Sequence, residues 1–111
     1  MSKNNFKHPR VFGLVAARPN PALKKKMNAA FKRLGQRSVF LDLVAPPSML
    51  KNVVKCMQLM DVTAVLVEKG YEKKIVKFIP LLDRSARSAG RANLIAKKGR
   101  SFIGYYLPGI I

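Results

Sequence analysis

A chain of 111 residues, 49% of them hydrophobic, is long enough for one core and too short for two domains, and its interleaved apolar and polar residues argue against a disordered basic arm. No apolar run approaches the roughly 20 residues a bilayer span needs, and "MSKNNFKHPR" lacks the apolar stretch of a secretory signal, so a soluble intracellular protein with no membrane partner is expected. The 22 Lys and Arg against 5 acidic residues, a net +17, are the strongest signal: such a field is usually offset by a polyanion, because cations near phosphates release condensed counterions.

Residues 10 to 17, "RVFGLVAA", read as a buried strand closed by the turn "RPNP". Pro21 then suits the first turn of a helix, where a missing donor costs little. Along that helix Leu23, Met27, Ala30, Phe31 and Leu34 form one apolar stripe, Lys24, Lys25, Lys26, Lys32 and Arg33 lie opposite, and Gly35 supplies a left-handed end. "SVFLDLV", 38 to 44, is predicted as a second strand, broken by "APPS". Ser48 is expected to cap a helix over 49 to 60 built on Leu50, Val53, Val54 and Met57. Cys56, the only cysteine, reads as a core thiol of that helix; alone, it forms no intrachain disulfide and no thiol cluster for zinc.

"VTAVLV", 62 to 67, has the continuous apolar character of a strand covered on both faces, and "EKG" follows as a turn. A third helix over 71 to 82 is expected to turn Ile75, Val76, Phe78 and Ile79 inward and Lys73, Lys74 and Lys77 outward, with Pro80 ending or kinking it. "DRSARSAG" predicts a short helix capped by Asp83 and closed at Gly90. The runs 91 to 97 and 101 to 107, joined by "KGR", predict an antiparallel hairpin. Alternating strand and helix before it argue for parallel pairing with right-handed crossovers. The fold class is therefore α/β: a single domain over residues 10–111, a mixed, mostly parallel sheet with helices on both faces and a C-terminal antiparallel hairpin, behind a basic extension of residues 1–9.

The order and spacing of "MNAAFKRLG", "LLDRSARSAGRANLI" and "GRSFIGYY" resemble the amino-terminal, substrate-binding domain of shikimate dehydrogenase, over about residues 10 to 109. Carried across residue by residue, the resemblance implies an altered site. The two serines that hold the substrate carboxylate fall at Pro21 and Leu23, and a histidine falls at Met27. Counted without a gap from Asn93, which matches the family asparagine, the catalytic lysine falls on Glu72, with Lys73 one place away; the family threonine falls on Leu94 and the catalytic aspartate on Pro108. Asn28, Asn93 and Gly109 keep the family residue, and no Gly-x-Gly-x-x-Gly follows a strand to hold a dinucleotide.

Other chemistry is sparse. His8 reads as a plain surface histidine, Asp42 and Asp61 as turn or ion-pair residues, and Tyr105 and Tyr106 as a core-and-rim pair. No catalytic or metal-ligating set and no cofactor are expected. Between Ala17 and Leu41 seven basic residues face no acid, and a second basic cluster follows Asp83. The expected contacts for RNA phosphates are Lys24, Lys25, Lys26, Lys32, Arg33, Arg37, Arg84, Arg87, Arg91, Lys97, Lys98 and Arg100. The sequence thus favours a non-catalytic RNA-binding structural protein. The expectation is a ribosomal component, mitochondrial ahead of cytoplasmic, with rRNA and neighbouring ribosomal proteins as partners and no dinucleotide. The alternative is a shikimate dehydrogenase-like ligand-binding or regulatory protein partnering a separate nucleotide-binding chain.

A net charge of +17 also has a consequence for stability, because like charges repel in the compact state. Raising ionic strength from about 0.01 M to about 0.15 M shortens the Debye length from roughly 30 Å to about 8 Å. Thermal unfolding followed by circular dichroism is expected to show a melting temperature that rises across that range.

Overall fold

The computed structural model describes residues 9–110. The basic segment 1–8, with His8, and Ile111 lie outside the described residues.

Strand β1 (Arg10–Ala16) leads through the "RPNP" turn to helix α1 (Pro21–Arg33), then β2 (Ser38–Val44), α2 (Leu50–Leu59), β3 (Ala64–Val67), α3 (Glu72–Ile75), β4 (Leu81–Leu82), α4 (Arg84–Ala89), β5 (Leu94–Lys98) and β6 (Ser101–Tyr105). They build one sheet of order β2-β1-β3-β5-β6-β4. β1 pairs in parallel with β2 and β3, β4 pairs in parallel with β6, and β5 runs antiparallel to both of its neighbours. The expected mixed, mostly parallel sheet with its C-terminal hairpin is what forms.

Alternation of side chains assigns the two faces. Val15, Val65, Val67, Ile95 and Phe102 point to the face covered by α2 and α3, where Leu50, Val54, Met57 and Ile75 complete the larger core. Leu14, Ala16 and Phe40 point to the other, against Leu23, Met27 and Phe31 of α1; the Phe12 and Phe31 rings lie 5.3 Å apart. Glycine alone fits at position 13 without a backbone shift: a Cβ there would sit 2.8 Å from the Leu41 carbonyl oxygen of the neighbouring strand.

Local signals are honoured at the ends of α1. The Asn20 side chain accepts the Leu23 N–H, Pro21 opens the helix, and Gly35 takes φ 68° beyond it. Asp83 caps α4, its carboxylate accepting the Ser85 N–H at 3.0 Å, and Gly90 closes that helix with φ 69°.

Four local expectations are corrected. Leu34 is 72% exposed, because the helix ends before it and the chain leaves the apolar stripe. Ser48 caps nothing: a 3₁₀ turn over Pro47–Met49 precedes α2 and has no side-chain cap. Cys56 is exposed; with Leu50, Val54 and Met57 facing the sheet, about 100° per residue places it on the outer side of α2. The helix expected over 71 to 82 is broken into a 3₁₀ turn (Lys69–Tyr71), α3, another 3₁₀ turn (Val76–Phe78) and the two-residue β4. Pro80 is the local cause, since the residue before proline is pushed to extended backbone, and Ile79 has ψ 122°.

Asn28 performs a structural task that its place on α1 did not announce. Its carboxamide accepts the Phe40 N–H at 2.8 Å and donates to the Phe40 carbonyl at 3.3 Å, so it pairs with the free edge of β2 as a further strand would. Asn28→Ala is expected to destabilise the domain by about 1–2 kcal/mol, the cost of leaving a part-buried backbone pair unsatisfied. A lower urea midpoint at unchanged slope would register it.

Candidate functional site

An open cleft lies at the C-terminal ends of β1 and β3, where parallel α/β sheets place their ligands. The ends of these strands are fastened by one residue. Glu68 donates its N–H to the Val15 carbonyl at 2.9 Å, and its carboxylate accepts the Ala17 N–H at 3.2 Å. Tyr71, just beyond, is buried and donates its hydroxyl to the Ala45 carbonyl at 2.6 Å. Burial, and secondarily the nearby Glu68 charge, push the Tyr71 phenol above its ordinary pKa.

The 3₁₀ turn after β3 delivers Glu72 to the cleft floor. Its carbonyl accepts the Ala92 N–H at 3.1 Å, which brings the start of β5 alongside. Glu72 Oε1 thereby lies 3.7 Å from Arg91 Nε. Arg91 in turn donates from Nη2 to the Tyr106 hydroxyl at 2.6 Å, with its guanidinium 4.5 Å from that ring. Tyr106 is held from behind: its N–H donates to Ser85 Oγ at 3.0 Å, and Ser85 donates to Asp83 at 2.8 Å. Two hydrogen bonds from Ser85, through its backbone N–H and its hydroxyl, lower the Asp83 pKa.

Asn93 is buried beside this cluster and holds Leu107, donating to its carbonyl at 2.8 Å and accepting its N–H at 2.9 Å. Asn28 and Asn93, which keep the residue of the resembling family, both hold backbone, and Asn93 also lines the cleft.

Arg18, Lys26, Arg33 and Lys69 line the cleft together with Glu68 and Glu72. Ion pairs among the described residues are confined to Arg91–Glu72 and Lys97–Asp61, so these four cations carry no carboxylate partner there. The cleft is therefore set to receive an anion. Among the described residues no group of three His, Cys, Asp or Glu could hold a metal. No helix among them is long and apolar enough to cross a membrane.

The twelve residues expected to contact RNA do not converge. Lys24, Lys25 and Lys32 are exposed on α1, and of the basic residues of that helix only Lys26 and Arg33 line the cleft. Arg37 precedes β2, Arg84 and Arg87 lie on α4, and Lys98 and Arg100 are exposed at the hairpin. Arg91 and Lys97 are engaged by Glu72 with Tyr106 and by Asp61. Sequence reasoning missed Tyr106 and Arg18, and gave Glu72 no role. The available signal was an acid three residues before Ile75, on the inward side of a helix.

No family model matches the chain. Curated relatives do: a shikimate dehydrogenase (NADP⁺) of Dehalococcoides mccartyi is 27% identical over 96 residues, 86% of this chain and 34% of the relative. One from Halothermothrix orenii is 31% identical over 78 residues, 70% of this chain and 27% of the relative. The chain spans about a third of the length of the curated relatives it matches. Among solved structures, a shikimate dehydrogenase in complex with NADP⁺ superposes with TM-score 0.80 and 26% identity, covering 87% of this chain and 34% of that one. The shikimate 5-dehydrogenase of Listeria monocytogenes, in complex with shikimate and NAD, shares the fold with TM-score 0.80 at 24% identity, over 95% of this chain and 37% of that one.

These findings correct the functional expectations. The relatives are enzymes, against a non-catalytic structural protein; they are not ribosomal or RNA-binding proteins, and solved members hold NADP⁺ or NAD, against the exclusion of a dinucleotide. They come from bacteria and an archaeon, which removes the ground for a mitochondrial ribosome. The physical reason for the error is that net charge reports attraction to anions in general and carries no information about which anion.

The raised Tyr71 pKa has a testable sign. The fold favours the neutral phenol, so Tyr71 contributes stability that is complete below its unfolded pKa and lost as pH rises through the higher folded value. Urea unfolding of Tyr71→Phe is expected to lose less stability than the parent protein as pH rises past 10.

Proposed function

We propose that this chain, similar over most of its length to about a third of a shikimate dehydrogenase, forms the substrate-binding unit for a small hydroxylated carboxylic acid of the shikimate type. The observation that carries the reading is the cleft itself. It lies at the C-terminal ends of the parallel strands and presents Arg18, Lys26, Arg33 and Lys69 without ion-pair partners among the described residues. A ligand carboxylate gains from such cations at little desolvation cost, since the cleft is open and the cations are exposed. Glu72 and Tyr106, both in the lining and both contacted by Arg91, then face the hydroxylated part of the ligand.

The dinucleotide named in the solved relatives supplies hydride chemistry when bound. The described turns of this chain do not suit it. The link from β1 to α1 reads Ala17-Arg18-Pro19-Asn20 without a glycine, and the link from β3 contains only Gly70. A pyrophosphate cradle needs close backbone approach through several glycines at a helix start. The dinucleotide is accordingly assigned to a nucleotide-binding unit outside residues 9–110, and this chain's part is to bind and orient the acid.

Titration calorimetry with shikimate is the direct test. Saturable binding in about the micromolar to millimolar range is expected, weakened about ten-fold or more in the Arg18→Ala, Lys69→Ala double variant, as fits loss of charge-assisted contacts. Absence of binding at about 10 mM shikimate, a ligand free energy of under 3 kcal/mol, would remove the reading.

A further inference from the structure

Among the described residues, Glu72 is the one charged side chain that is both buried and open to the cleft: the residue is 6% exposed and forms part of the lining. Its carboxylate meets a single protein group, Arg91 Nε at 3.7 Å, beyond hydrogen-bond range. No described residue donates a hydrogen bond to it. No side-chain polar atom among the described residues is both fully buried and unpartnered, so the carboxylate oxygens are reached from the cleft, and a ligand that covers them must supply the hydrogen bond that solvent otherwise gives. The hydrogen bonds of the neighbouring groups go elsewhere: the Asn93 amide holds Leu107, and Arg91 Nη2 donates to Tyr106.

Arg91 nevertheless balances the charge of Glu72. A ligand ammonium at the same place would meet the guanidinium as a like charge, so the missing group is a neutral donor. On a hydroxylated acid that donor is a hydroxyl.

We propose that Glu72 is the specificity-determining residue of the cleft, accepting a hydrogen bond from a ligand hydroxyl and thereby selecting the alcohol form of a hydroxy acid over the ketone its oxidation gives. The inference rests on the reading that the cleft binds such an acid. A hydroxyl carries a proton to donate, whereas a ketone offers lone pairs alone and would set acceptor against acceptor. The site then rejects the ketone by leaving a buried carboxylate unpaired, a stronger discrimination than a shape difference gives. Tyr106 sets affinity but not choice: its oxygen accepts from Arg91, and its own proton serves either form.

The test is calorimetry on the protein with shikimate and with the ketone formed by its oxidation. The alcohol is expected to bind about ten-fold or more tightly. Glu72→Gln, whose amide donates as well as accepts, is expected to bring the two affinities to within about three-fold. Arg91→Gln leaves the carboxylate in place and should preserve the preference, and Tyr106→Phe should weaken both compounds alike. If Glu72→Gln fails to fold, Glu72→Asp, which withdraws the carboxylate from the ligand, should still reduce the ratio. Equal affinities in the parent protein, or a ratio unmoved by replacement of Glu72, would overturn this proposal and leave the cleft reading standing. Failure of both compounds to bind would overturn both.

Discussion

The cleft depends on the parallel pairing of β1 with β3. Side by side, Phe12 to Val15 against Ala64 to Val67, these strands end at the same edge of the sheet, and Glu68 fastens the ends by bonding Val15 and Ala17. Everything that could contact a ligand is positioned from that edge. The chain leaving β1 carries Arg18 and the start of α1; the chain leaving β3 carries Lys69 and Glu72. β5 contributes from the same edge because it runs antiparallel, so the residues leading into it, Arg91 and Asn93, lie where β3 finishes. A parallel β5 would have placed those residues at the opposite end of the sheet.

Charge acts at two scales in this molecule. At long range, a net +17 makes the whole surface attractive to anions and costs the compact state self-repulsion. At short range, few of the cations are spent on structure: Arg91 and Lys97 have carboxylate partners, and the cations of the cleft rim have none among the described residues. The rim attracts; the floor discriminates. An exposed lysine is hydrated and mobile and gives little selectivity, whereas a buried carboxylate has a fixed position and a high cost when unpaired.

The two retained asparagines show a structural use of the carboxamide. Asn28 and Asn93 both keep the residue of the resembling family, and each turns its carboxamide onto a single backbone unit, Phe40 or Leu107, donating to its carbonyl and accepting from its N–H. The amide matches the backbone's own hydrogen-bonding pattern and extends the sheet where strand pairing stops. Glu72 stands where the resembling family has a lysine, and in place it is a carboxylate in the cleft lining whose one ion-pair partner is Arg91.

Most of the fold was legible in the sequence. The strands at 10 to 16, 38 to 44 and 101 to 105, the helix opened by Pro21, the cap at Asp83 and the glycine ends at 35 and 90 all follow from neighbours within a few residues, where propensity, periodicity and capping operate. Tertiary packing decided the rest. Past the break at Pro80 it paired Leu81 and Leu82 with Ile103 and Gly104, and it left Cys56 and Leu34 in solvent. Nothing local reveals that Glu72 and Arg91, nineteen positions apart, meet on one floor, because that proximity comes from a strand pairing and a backbone bond between Ala92 and Glu72. The sequence by itself determined a basic α/β domain with an anion-attracting surface, since charge and hydrophobic period are additive along a chain. Which of those charges line a cleft, and which carboxylate lies at its floor beside Arg91, are properties of long-range contacts, and only the folded sheet decided them.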